Sequence, residues 1–199
     1  MVERKRETMQ ENSKLSVLVI DPNPGMRGSL QNMLNLGGIS KIEYAVNSGT
    51  AIRQLTRRSY DIILCEYDLG SSAGDGQDGQ QLLEDLRHHK LIALSTMFFM
   101  VTAEGDYGKV VSAAELAPTD YILKPFTADR LLERIARALE RRNVLLPVYR
   151  LMEAGAQHEA IQACIEGEAA HPRYVVDFLR LRAELHLFLG EAGQAEPIY

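Results

Sequence analysis

Short apolar blocks alternate with amphipathic stretches along the first two thirds of the chain. The run SVLVI, from Ser16 to Ile20, is β-branched and continuously apolar, the pattern of a strand buried on both faces of a sheet. It stops at Asp21. From Pro24 the apolar positions Met26, Leu30, Met33 and Leu34 recur at helical spacing, with Pro24 suited to a first turn and Gly37-Gly38 to a stop. The alternation then repeats as a strand from Lys41 to Val46, a helix capped by Ser48 and running through Arg58, and a strand from Asp61 to Glu66. A helix carrying Leu82, Leu83 and Leu86 follows, then a strand from Met97 to Thr102 and a helix from about Asp106 to Leu116. A strand from Tyr121 to Leu123 leads to a helix opened by Thr127, with Asp129 in its first turn. Five such βα units predict right-handed crossovers and an α/β fold, a doubly wound five-stranded parallel sheet with helices on both faces. Polar functional groups of such sheets gather beyond the carboxyl ends of the strands, here Asp21, Glu66, Thr102 and Lys124.

Composition narrows the partners more than the class. With 46% hydrophobic and 25% charged residues the chain is of ordinary globular type, and 199 residues leave room for one well-cored domain and a smaller one. A net charge of -5 gives no electrostatic reason to seek a phosphate backbone or an anionic membrane, so neither nucleic acid nor membrane is an expected partner. The opening MVERKRETMQENSK is charged without the apolar core of a signal peptide, and the most apolar stretch, Leu91 to Ala103, is too short to span a bilayer. A cytoplasmic location is expected. Cys65 falls in a strand pattern and Cys164 in a distant helical one, which suits buried free thiols better than a disulfide or metal pair.

In chain order, VLVIDPNPGMR, DIILCEYDLG, MVTAEG and DYILKPF each set a polar residue directly after an apolar strand. Together, over about residues 15 to 142, they resemble the receiver domain of two-component response regulators, which implies a flavodoxin-like fold of receiver type. The order of the four motifs makes the resemblance specific. In that family a carboxylate takes a phosphoryl group from a sensor kinase, Mg²⁺ held by neighbouring acids neutralises charge, and a lysine and a hydroxyl bind the phosphoryl oxygens. The resemblance implies Glu66 at the phosphoacceptor position, Lys124 as the phosphate-facing cation and Thr102 as the hydroxyl. It further implies Tyr121 as an aromatic that moves between inward and outward states, and Lys124-Pro125 as the family's cis peptide.

Two departures alter what those residues can do. The extra methylene of Glu66 pushes its carboxylate forward, and misplacing a reacting atom by about 1 Å can cost on the order of a hundredfold in rate. Where the family has an acidic pair after its first strand, this chain has Asp21 followed by Pro22. The remaining metal set is Asp21, Glu66 and the carbonyl of Asp68, with Asn23 as a further oxygen donor, and Mg²⁺ is expected to bind there weakly or only vestigially. Glu66 then reads either as a fixed negative charge near Lys124, imitating a phosphorylated receiver, or as a remnant in an unswitched scaffold. No enzymatic turnover is expected. The alternative is an active phosphoacceptor, phosphorylated by a histidine kinase on Glu66 or on a nearby acid such as Asp68.

The stretch from Gly70 to Gly79 is long for a receiver connection and reads as a flexible surface insertion. Asp68, Asp75 and Asp78 are a less favoured cation set, since their spacing does not fit an EF-hand. Beyond Arg141-Arg142-Asn143 the pattern is wholly helical, and Gly155, Ala160 and Cys164 recur 35 positions later as Gly190, Ala195 and Tyr199. That period and small-residue spacing resemble tetratricopeptide repeats, although an ordinary helical hairpin carries similar positions. The expected organisation is a charged tail over residues 1–14, the receiver over 15–142 and a tetratricopeptide-like segment over 143–199. The second repeat is incomplete at Tyr199, which implies a longer natural chain. Expected function is a pseudo-receiver adaptor that meets a sensor kinase or downstream signalling protein. Its contact surfaces would be the face formed by the helix from Asp106 to Leu116, the fifth strand and the fifth receiver helix, together with the C-terminal helices; a homodimer is compatible with this.

Overall fold

The computed structural model describes residues 2–70, 77–103 and 117–198. Its sheet comprises β1 (Ser16–Ile20), β2 (Lys41–Ala45), β3 (Ile62–Glu66), β4 (Met97–Ala103) and β5 (Asp120–Lys124), in the order β2-β1-β3-β4-β5 with every neighbour parallel. This is the doubly wound α/β sheet expected from the apolar runs. The three central strands are continuously apolar because both their faces are covered: Val17 to Ile20, Ile62 to Cys65 and Phe98 to Met100 are all buried. Edge strands β2 and β5 are more open, and their sequences are correspondingly mixed.

Flanking helices begin where side chains can satisfy orphan backbone donors. Helix α1 (Val2–Asn12) occupies the stretch read from sequence as a charged tail. Its C-terminal end is tied down, since Asn12 Nδ2 donates to the Gly37 carbonyl at 2.8 Å. Gly38, at φ +81, has no Cβ to strike the Met9 backbone, which a Cβ would approach to 3.0 Å. Helix α2 (Pro24–Leu36) has Pro24 at its start as predicted, with Asn23 as N-cap. Helix α3 (Ser48–Leu55) corrects the sequence reading: its cap is Asn47, not Ser48, and it stops short of Arg58. The Asn47 side chain accepts from Thr50 N at 2.9 Å while the Thr50 hydroxyl accepts from Asn47 N at 3.2 Å, a reciprocal box that a cap at Ser48 would forgo. Helix α4 (Gly79–His88) uses the same device between Asp78 and Gln81. The expected helix from Asp106 to Leu116 lies outside the described residues.

Lys90 stands where α4 ends, at φ 52, with Leu91 N bonded to Leu86 O at 2.8 Å and Lys90 N to Arg87 O at 3.1 Å. This pair of bonds is a Schellman ending, whose left-handed position normally holds glycine. Lys90→Gly should therefore raise stability by about 0.5–1 kcal/mol, read as a higher urea midpoint at unchanged m-value.

Helix α5 (Ala128–Glu153) starts behind Thr127, whose hydroxyl accepts from Arg130 N at 3.3 Å, and runs without interruption through Pro147. Two compact units divide within it, residues 1–138 and 139–199. In the second unit α6 (Gln157–Ala170), a 3₁₀ turn (Pro172–Tyr174), α7 (Val175–Phe188) and α8 (Ala192–Ala195) follow α5. Its core gathers Leu145, Val148, Ala160, Cys164, Phe178 and Leu185. The 35-residue period is written into the backbone. Gly155 and Gly190 sit at φ +75 and +76, and each closes a Schellman motif: Ala156 N to Leu151 O at 2.9 Å, and Glu191 N to His186 O at 2.8 Å. Ala160 and Ala195 are both buried, and Tyr199 lies outside the described residues. Among the described residues no helix is long and apolar enough to cross a membrane.

Candidate functional site

Parallel register brings the strand ends together. Ile20 lies opposite Cys65, Glu66 opposite Val101 and Ala103 opposite Lys124, so Asp21, Glu66, Thr102 and Lys124 all emerge at one edge of the sheet. Lys124 Nζ donates to Glu66 Oε2 in an ion pair whose side chains are 25% and 12% exposed. The other Glu66 oxygen accepts from Asp68 N at 3.2 Å. Both carboxylate oxygens of Glu66 therefore have donors from within the protein.

Asp21 is 2% exposed; its Oδ1 accepts from Asn23 N at 2.7 Å, whereas Oδ2 is buried without a hydrogen-bond partner among the described residues. Burial pushes the Cys65 thiol well above its ordinary pKa, and the neighbouring carboxylates of Glu66, Asp21 and Asp78 push it further the same way. Thr102 is fully buried, and its hydroxyl donates to the Ala103 carbonyl at 3.2 Å. Tyr121 is half-buried against the core cluster that contains Leu82, Leu86 and Met100. The Lys124-Pro125 peptide is cis.

Other acids and amides near the cleft have local roles. Asn23 accepts from Gly25 N and Met26 N at 2.9 and 3.2 Å as the cap of α2, so the amide considered as a metal donor serves the helix. Asp68 Oδ1 accepts from Gly70 N at 2.9 Å, and Asp78 caps α4, while Asp75 lies outside the described residues. No group of three or more His, Cys, Asp or Glu side chains is placed to hold a metal among the described residues.

Two participants were not singled out from sequence. Arg27 donates to the Asp21 carbonyl at 2.6 Å, bracing the turn after β1. Gly79, read as the end of a flexible insertion, is instead buried against the site: its N–H donates to the Tyr67 carbonyl at 2.7 Å, and a Cβ there would lie 2.6 Å from the Glu66 carbonyl oxygen. The D-x-x-Q pattern of Asp78 to Gln81 was the sequence signal for this helix start. Residues 71–76 of the insertion lie outside the described residues.

The sequence profile described as the response regulator receiver domain matches residues 17–136 of this chain. The chain belongs to that family. Among similar receivers, chemotaxis protein CheY-3 of Vibrio cholerae is 27% identical over 130 residues, covering 65% of this chain and 95% of its own. Chemotaxis protein CheY of Pseudomonas aeruginosa is 28% identical over 129 residues, covering 65% and 99%. Among solved structures, the receiver domain of NtrX from Brucella abortus is 26% identical with a TM-score of 0.54, covering 63% of this chain and 98% of that one. The chain is thus a CheY-like receiver of two-component signalling, a family whose members contact kinases and downstream proteins.

Proposed function

We propose that this receiver acts as a non-catalytic adaptor, signalling through protein contacts with Glu66 held by Lys124 in place of a transferable phosphoryl group. The ion pair carries the reading. A nucleophilic carboxylate must present an oxygen lone pair in line with the incoming phosphorus, and Lys124 and the Asp68 backbone fix the orientation of both oxygens of a side chain that is one methylene longer than aspartate. The donor set also fits Mg²⁺ poorly: Asp21 offers one unpartnered oxygen, Pro22 replaces a second acid, and Glu66 is engaged, whereas Mg²⁺ demands near-ideal octahedral geometry. The pair leaves a fixed negative charge where an active receiver would be phosphorylated. Partners would be a sensor kinase or a downstream signalling protein, met on β5 and the receiver part of α5. The helices of the second unit, whose repeated 35-residue geometry supports the tetratricopeptide-like reading, would supply further contacts.

Incubation with Mg²⁺ and a small phosphodonor, followed by intact-mass measurement, should show no lasting gain of a phosphoryl group. A stable gain mapping to Glu66 or Asp68 would overturn the adaptor reading in favour of an active phosphoacceptor. Glu66→Asp shortens the nucleophile but leaves Pro22, so at most weak, Mg²⁺-dependent phosphorylation is expected, at millimolar rather than micromolar metal.

A further inference from the structure

Helix α7 carries a row of side chains that is self-complementary when the helix is reversed. Val176, Arg180, Glu184 and Phe188 follow one another at i, i+4 spacing, and the two apolar members are 74% and 76% exposed. Val176 and Phe188 lie six residues either side of Arg182, Arg180 and Glu184 lie two either side, and Arg173 and Glu191, just beyond the helix ends, lie nine. In a two-fold contact a residue meets the one at equal distance on the other side of the axis. Two antiparallel copies of α7 crossing at the level of Arg182, which itself turns to Glu168 at 3.2 Å, therefore set Val176 against Phe188, Arg180 against Glu184 and Arg173 against Glu191, each twice, with each of these charged contacts attractive. Rows at i±4 are also the ridges that interdigitate in the commonest helix packing.

The repeat gives a second reason to expect a helix on this row. Among the positions 35 residues earlier, Leu145, which corresponds to Arg180, is 1% exposed and Arg141, which corresponds to Val176, is bonded to Asp177 of α7 at 3.0 Å, while Glu153, which corresponds to Phe188, is exposed. We propose that the chain forms an antiparallel two-fold dimer through α7. The pairs now made within one chain do not stand against it. Arg173 with Glu140 at 3.0 Å is largely solvent-exposed, and pairs of that kind contribute little. Arg180 with Glu184 at 3.4 Å and His186 with Glu191 at 2.7 Å are half-buried, and the dimer exchanges them for equivalent pairs across the axis. One helix buries a small interface, so the dimer is weak, with a Kd on the order of 10 µM.

Sedimentation velocity of the 199-residue chain over a range of concentrations tests this. Wild type should dimerise reversibly, and Arg180→Glu, Glu184→Arg and Phe188→Glu should each weaken association at least tenfold while the circular dichroism spectrum is retained. Mixing the Arg180→Glu chain with the Glu184→Arg chain should restore the dimer, because every charge then again faces its opposite across the axis. A purely intrahelical role for these two residues would be lost in both chains and would not return on mixing. A wild type that stays monomeric at high micromolar concentration, or a mixture no more associated than either variant alone, overturns the proposal.

Discussion

Gly79→Val is expected to destabilise the receiver by about 3 kcal/mol, at the upper end of ordinary overpacking costs. A Cβ at this position would lie 2.6 Å from the Glu66 carbonyl oxygen, 2.8 Å from Met100 Sδ and 3.2 Å from Tyr67 Cα. The thioether can move aside. The other two atoms are backbone of the strand end itself, and α4 cannot withdraw without losing the 2.7 Å bond from Gly79 N to the Tyr67 carbonyl. Relief must therefore come from displacing Glu66, which would also pull it away from Lys124. Helical glycine replacement ordinarily stabilises, so the sign is diagnostic. Gly28, in α2, has no atom within 4 Å of the corresponding position, and Gly28→Ala should gain about 0.5–1 kcal/mol. Urea unfolding of the two variants side by side measures both; a neutral Gly79→Val would show that the turn after β3 is not packed as described.

Phe178→Ala should cost the second unit about 3–5 kcal/mol, the range for truncating a fully buried aromatic. Phe178 is 2% exposed and lies in the cluster with Leu145, Val148, Ala160 and Cys164. Its ring occupies the space left by the missing side chain of Gly167, where a Cβ would fall 2.3 Å from ring carbons. So small a core has little stability to lose. Amide exchange should report it: protection in α6 and α7 should collapse while β1, β3 and β4 keep theirs. Gly167→Ala should be strongly destabilising alone and close to neutral in the Phe178→Ala background, since the clash disappears with the ring. Additive costs would contradict the direct contact.

Much of the fold was legible because it rests on periodicity. SVLVI and IILC are apolar at every position because they are central strands, and Met26, Leu30, Met33 and Leu34 recur at helical spacing because one face of α2 meets the sheet. Local signals were weaker where two neighbours competed for one role. Ser48 and Asn47 are both good caps, and only the reciprocal bond with Thr50 selects Asn47. The N-terminal stretch is polar throughout, so no apolar stripe announced α1, which is tied down at its C-terminal end by Asn12 and the glycines after α2. In the second unit the paired glycines at a 35-residue spacing were visible as letters. Their shared left-handed conformation, with the same two bonds closing each turn, was not.

By itself, the sequence determined that this protein is a parallel α/β receiver with Asp21, Glu66, Thr102 and Lys124 at the ends of its first, third, fourth and fifth strands, because side-chain period and the succession of elements are properties of the chain read in one direction. Only the tertiary structure decided which of these polar groups have partners. Lys124 meets Glu66 from 58 positions away, Asn23 and Asp78 are taken up as helix caps, one oxygen of Asp21 stays unpartnered among the described residues, and Gly79 leaves the gap into which α4 fits. Whether a carboxylate is free or engaged depends on the donors brought to it, some from the turn that follows, as Asp68 N for Glu66 and Asn23 N for Asp21, and one, Lys124, from across the sheet.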